Sequence, residues 1–176
     1  LEFDSEIVLC DKHPGYFTSE LAQEYLLKYQ IPIHKIQHHE AHFAAVLGEN
    51  QLWNEEVLGF VWDGTGLGND DAIWGGECFH YHDAKLTRIH HLPYQKHILG
   101  DKMVQEPRIS ALSFFNSTET SDPLLKNKFT SIEWDLYKRQ LTNSTLFTSS
   151  MGRLFDAVAS LLNLKPLFVG NHTMCY

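Results

Sequence analysis

The chain has 176 residues, with 14 Lys+Arg against 22 Asp+Glu for a formal net charge of −8, and 43% of it is hydrophobic. That balance suits one globular domain or two small lobes and excludes a disordered or fibrous chain. The negative charge excludes a broad nucleic-acid face, which needs clustered Lys and Arg, so no DNA partner is expected.

No run of about 18 apolar residues occurs, so no membrane span is expected. The start, Leu1-Glu2-Phe3-Asp4-Ser5-Glu6, lacks the basic and apolar regions of a signal peptide and an initiator Met, and reads as an excised piece. Three cysteines, Cys10, Cys78 and Cys175, are odd in number and far apart. They make no disulfide framework or zinc knuckle and suit a reducing, cytoplasmic setting.

Glu6 to Cys10 reads as a short buried strand ended by Asp11-Lys12-His13-Pro14-Gly15. Phe17, Leu21, Tyr25, Leu26 and Tyr29 then recur at helical spacing, and Pro32 ends that helix. Ile33 to Gln37 is a second strand, and His38 to Gly48 a helix with Phe43, Val46 and Leu47 as its apolar face. The first part is therefore β-α-β-α. Val57 to Trp62 is a buried-type strand that enters a glycine-rich turn over Asp63 to Asp71. Ile73 to Tyr81 and Leu86 to Leu92 continue a meander. Helices follow at Val104 to Phe115 and Ser131 to Leu141. In the last helix Met151, Leu154, Phe155, Val158, Leu161 and Leu162 form one apolar stripe, capped by Ser149 or Ser150. The fold class is α/β or α+β with a mixed sheet.

Three constellations can carry chemistry. In Gln37-His38-His39-Glu40-Ala41-His42, His38 and His42 lie four apart on one helix face, within reach of one metal ion. The zinc-protease pattern fails, since Phe43 stands where it needs a second His after His39. Surface histidines at a polar helix start are the bland alternative. Asp63 to Asp71 is neither a P-loop nor a dinucleotide fingerprint. A hairpin there can cradle a phosphate on its N–H groups, with Asp63 holding a water and Thr65 donating to an oxygen, or it is an ordinary turn. Third, the serines before Met151 offer a helix N-terminus to an anion, Gly152 leaves a ligand room to reach Asp156, and Arg153 can pair with a phosphate. A capped helix with a solvated polar face fits equally. Glu77 after Gly75-Gly76, and Arg108 in Glu106-Pro107-Arg108, are weaker candidates.

Six segments together resemble the C-terminal carbamoyl-transfer domain of the HypF family, [NiFe]-hydrogenase maturation proteins. They are Asp11 to Tyr16, Ile36 to His42, Asp63 to Gly68, Ile73 to Glu77, Gln105 to Arg108 and Ser149 to Asp156, and their order and spacing match up to about Leu164. The resemblance implies an incomplete actin/hexokinase-like ATPase fold. Residues 1–52 would end a first lobe, 53–164 form the second-lobe core, and 165–176 make an unaligned tail.

By the same resemblance, carbamoyl-adenylate, made from carbamoyl phosphate and ATP in a YrdC-like domain outside this chain, gives its carbamoyl group to the C-terminal cysteine of a HypE-like acceptor. The resulting thiocarboxamide leads to the hydrogenase cyanide ligands. His38 and His42 would bind a divalent ion, iron or zinc. Asp63, Gly64, Thr65, Gly66 and Gly68 would form the phosphate loop, and Gly152 and Asp156 the nucleotide contacts; His39, Glu77, Arg108 and Arg153 are further possibilities. A third, acidic metal ligand is expected from a segment absent here, so the chain is not expected to catalyse the overall reaction alone. The alternatives are an O-carbamoyltransferase of antibiotic biosynthesis and a non-catalytic nucleotide- or metal-binding fragment.

Overall fold

A computed structural model describes residues 5–116 and 122–164. Strand β1 (Val8–Asp11), helix α1 (Phe17–Tyr29), strand β2 (Ile33–Ile36) and helix α2 (His38–Glu49) follow the expected β-α-β-α order. The strands pair in parallel, Val8 beside Ile33 and Asp11 beside Ile36, which brings their carboxyl ends together at the start of α2. Helix α1 has the expected limits but the opposite orientation. Ser19 and Ala22 are buried, while Phe17, Leu21, Tyr25 and Tyr29 are exposed. Small side chains let α1 sit close to the strands, and the Ser19 hydroxyl donates to the carbonyls of Asp11 and His13.

Strands β3 (Val57–Leu67), β4 (Ile73–His82) and β5 (Lys85–His91) form the meander. A mixed five-stranded sheet has the order β3-β4-β7-β6, with β5 also on β4; here β6 is Gln95–Lys96 and β7 is Phe147–Thr148. The hairpin turn lies later than the sequence suggests. Residues 63–67 continue β3, and Gly68 closes the turn by donating its N–H to the Ala72 carbonyl. The glycine-rich segment is a bulge: Trp62 pairs with Gly76 and Gly66 with Trp74, so residues 63–65 stand opposite Gly75 alone. Glycine is needed at 75, where a Cβ would lie 2.4 Å from the Asp63 carbonyl oxygen.

The expected helix over Val104 to Phe115 is two: α3 (Asp101–Gln105) and α4 (Pro107–Phe115). Glu106 breaks them with φ −120° and ψ 90°, because the Pro107 ring disfavours helical backbone before it. Helix α5 (Asp122–Lys126) leads to α6 (Ser131–Asn143), which Thr130 and Glu133 start with a reciprocal capping box.

Ser150 caps the last helix, α7 (Met151–Leu161), by accepting from the Arg153 N–H. Its faces are not distributed as the apolar stripe implies. Arg153, Asp156, Ala157 and Ser160 are buried, whereas Phe155, Val158 and Leu162 are exposed.

Two cores result. Phe43 and Leu47 of α2 pack on Val61, Trp74, Phe79 and Tyr81 of the meander. Ile109 and Leu112 of α4 pack with Met103, Leu125, Trp134 and Ala157. Leu47 and Phe79 are each 1% exposed, a burial that contributes about 1.5–3 kcal/mol per side chain.

Candidate metal centre

The end of β2 delivers Gln37 as the cap of α2, its Oε1 accepting from the Glu40 N–H. One helical turn then aligns His38 with His42, and their Nε2 atoms lie 3.1 Å apart. The β3 bulge turns Asp63 toward them, its Oδ2 3.2 Å from His38 Nε2. The three side chains offer ligand atoms within 4.8 Å of one another. Two imidazoles and one carboxylate are an ordinary donor set for zinc or iron(II). Asp63 thus offers an acidic donor from within the chain, distinct from the one expected of a further segment. Asp63, read from sequence as part of a phosphate loop, stands with the histidines. Gly66 makes room for them, since a Cβ there would lie 2.5 Å from His39 Cε1.

His39 is fully buried, and its Nε2 is 3.7 Å from Asp63 Oδ2. Its tautomer follows from Gln37. With Gln37 Oε1 occupied by the Glu40 N–H, Gln37 Nε2 donates to the Leu67 carbonyl and faces His39 Nδ1 at 3.1 Å. Nδ1 must accept, so the proton sits on Nε2, on the Asp63 side. Burial, as the largest cause, lowers the His39 pKa to about 4, so the ring is neutral at pH 7. On the far side of His38, Asp11 Oδ2 lies 2.9 Å from Nδ1. The Tyr16 phenol is pushed up first by burial and then by the charges of Asp11 and Asp63.

The remaining candidates divide. Gly64 opens onto free space and Thr65 is exposed, whereas Gly68 packs against Trp74. Gly152 lets the start of α7 approach β3, as a Cβ there would meet Gly64 Cα at 3.0 Å. Asp156 is 1% exposed and ion-paired with Arg153 at 3.0 Å. The polar face of α7 is thus internal, where the sequence suggested an open ligand face.

Glu77 is also internal. Its Oε1 accepts from the N–H groups of Gly75 and Gly76 and from the Ser149 hydroxyl, and its Oε2 accepts from Arg88. Burial opposes ionisation, but these donors outweigh it and hold the carboxyl below its ordinary value. Arg108 lies elsewhere, tied to Glu106, Glu133 and the Lys128 carbonyl.

Sequence reasoning missed Asp11, Gln37 and Arg88 as partners. The β-α-β pattern held the signal for the first, because parallel strands end side by side and Asp11 closes β1 where His38 follows β2.

Comparison with known proteins identifies the family. Residues 59–168 match the family described as carbamoyltransferase, Kae1-like domain, second subdomain, and residues 1–49 match the HypF Kae1-like domain. The chain is 36% identical to the carbamoyltransferase HypF of Synechocystis over 93% of its own length and 23% of that protein. It is 34% identical to the probable carbamoyltransferase HypF of Methanocaldococcus jannaschii, over 90% and 21%. Among solved structures, full-length HypF in a phosphate- and nucleotide-bound form superimposes with a TM-score of 0.79 at 33% identity, covering 92% of this chain and 21% of that one. HypF of T. kodakarensis gives 0.79 at 28% identity, over 91% and 23%. The chain thus spans less than a quarter of these relatives, and within that span it belongs to the HypF carbamoyltransferase family, as a Kae1-like domain sequence.

Proposed function

We propose that this chain carries the metal-binding part of a carbamoyl-transfer site. Within a longer HypF-type polypeptide of actin-like ATPase fold, it would serve transfer of carbamoyl from carbamoyl-adenylate to the C-terminal cysteine thiolate of a HypE-like acceptor, in hydrogenase maturation. The observation that carries the reading is the convergence of His38 Nε2, His42 Nε2 and a carboxylate oxygen of Asp63 on one point. A zinc or iron(II) ion bound there supplies a Lewis acid for a phosphoryl or carbamoyl oxygen.

The chain's own residues supply position and field. His39 presents a neutral N–H 3.7 Å from Asp63, without adding positive charge to the site. Gly64 and Thr65 on the bulge face open space next to the ligands, where a nucleotide phosphate can approach. The start of α7 braces the bulge, with Ser150 donating to the Asp63 and Gly64 carbonyls. Cys10 and Cys78 are both buried, which suits a thiolate brought by the acceptor. A nucleotide- and phosphate-bound HypF with the same fold over this span supports ATP or carbamoyl-adenylate as ligand.

The test is metal content with ATP-analogue binding, on the chain and on a His38→Ala/His42→Ala double variant. The expected result is metal lost in the variant with nucleotide binding retained. Equal metal content in both proteins would refute the site.

A further inference from the structure

On sequence the Asp11-Lys12-His13-Pro14-Gly15-Tyr16 segment is a strand-ending turn and one of the six matching segments, with no role assigned to Asp11. In the structure it does more. Asp11 closes β1 and divides its two oxygens between different tasks. Oδ1 accepts from the His13 N–H at 2.7 Å, which folds the turn locally. Oδ2 leaves the turn and crosses to α2, where it meets His38 Nδ1 at 2.9 Å. The parallel register makes this possible, because Asp11 lies beside Ile36 and so two residues from His38. The carboxylate is largely shielded, with a side-chain exposure of 16%, against 27% for His38.

An ionised carboxylate only accepts hydrogen bonds, so Asp11, at 2.9 Å the nearer of the two carboxylates that flank the ring, favours a proton on His38 Nδ1 over one on Nε2, which faces Asp63 Oδ2 at 3.2 Å. With the proton on Nδ1 the lone pair is left on Nε2, the atom 3.1 Å from His42 Nε2. Among the described residues His42 has no such partner: its Nε2 faces His38, and it is exposed on the helix. The two histidines are therefore unequal, one oriented and one adaptable.

We propose that Asp11 is the positioning residue of the metal centre, holding His38 in the Nδ1–H tautomer with Nε2 turned toward the ion. This rests on the metal reading above. A carboxylate behind a ligating imidazole fixes its ring and raises its basicity, and losing such a partner weakens metal binding about 10–100-fold. The turn that begins with Asp11 is thereby part of the metal site, although none of its atoms touches the ion.

The experiment is a Zn2+ titration of the chain and of its Asp11→Ala, Asp11→Asn and Ser19→Ala variants, with Co2+ absorption as a second probe of coordination. Long-range 15N correlation on the metal-free proteins reads the His38 tautomer directly. Ser19→Ala is the control for structure, because Ser19 braces the same turn through the Asp11 and His13 carbonyls without touching His38. Expected are a metal-free wild type with His38 protonated on Nδ1, and loss of that preference in Asp11→Ala. Zn2+ affinity should fall about 10–100-fold in Asp11→Ala and less in Asp11→Asn, which keeps an acceptor oxygen, and should be unchanged in Ser19→Ala. Tight binding by the wild type and undiminished binding by Asp11→Ala would overturn the positioning role alone. So would a wild-type His38 protonated on Nε2, or an equal loss in Ser19→Ala. No binding by the wild type would overturn the metal reading, and the role of Asp11 with it.

Discussion

Glu77→Gln isolates what a buried carboxylate does for this fold. Glu77 is 1% exposed and takes hydrogen bonds from Gly75, Gly76, Ser149 and Arg88, which tie β4 to β5 and to the residues just before α7. A glutamine keeps the shape but turns one acceptor into a donor. The less costly orientation sets the new amide against Arg88, which still reaches Tyr94 at 3.0 Å and Asp70 at 3.4 Å. Three bonds then pass from a charged to a neutral acceptor, at about 1 kcal/mol each, and one is lost, while the desolvation cost of the charge is relieved. The net expectation is a loss of about 3 kcal/mol, a large share of the roughly 5–15 kcal/mol that stabilises a domain.

Urea unfolding followed by tryptophan fluorescence measures it. A Ser149→Ala cycle should show coupling of at least about 1 kcal/mol, since the two side chains share one bond. The penalty should also depend on pH. The folded Glu77 carboxyl is held below the ordinary value of 4.5, so its stabilisation is present above that pH and lost as pH falls through the folded value. The wild-type advantage over Glu77→Gln should therefore shrink toward pH 3. A loss under about 1 kcal/mol at pH 7, with no pH dependence, would mean water satisfies these donors and would refute the reasoning.

Gly59→Val should cost about 1–3 kcal/mol, because its Cβ would lie 1.8 Å from Phe43 Cε2 in the core; Phe43→Leu should recover part of this, and an unchanged urea midpoint would contradict the packing. Burial, with Arg153 as a lesser cause, holds His97 below its ordinary value of 6.5. The unfolded chain then binds its proton first, so stability should fall as pH drops below 6.5, by at most about 1.4 kcal/mol per unit from this group. His97→Gln should flatten that slope, and an identical pH profile in the variant would count against it.

Much of the fold was legible because it rests on local rules. Pro32 and Pro107 break helices, Ser150 caps one, and His38 and His42 share a face through the helical repeat alone. Periodicity misled where neighbours decide which face is buried. The stripe of α1 is exposed because Ser19 and Ala22 fit closer to the strands, and the polar face of α7 is internal because Ser150 and Gly152 dock on the Asp63–Gly64 backbone.

The sequence by itself determined the histidine pair and its place at a strand-to-helix junction, because spacing along one helix needs no other part of the chain. Only the tertiary structure decided which carboxylates join the pair. Asp63 lies 25 residues after His38 and reaches it through a bulge in β3, and Asp11 lies 27 residues before it and arrives through parallel strand pairing. Such contacts depend on strand register and sheet packing, which a linear pattern does not encode.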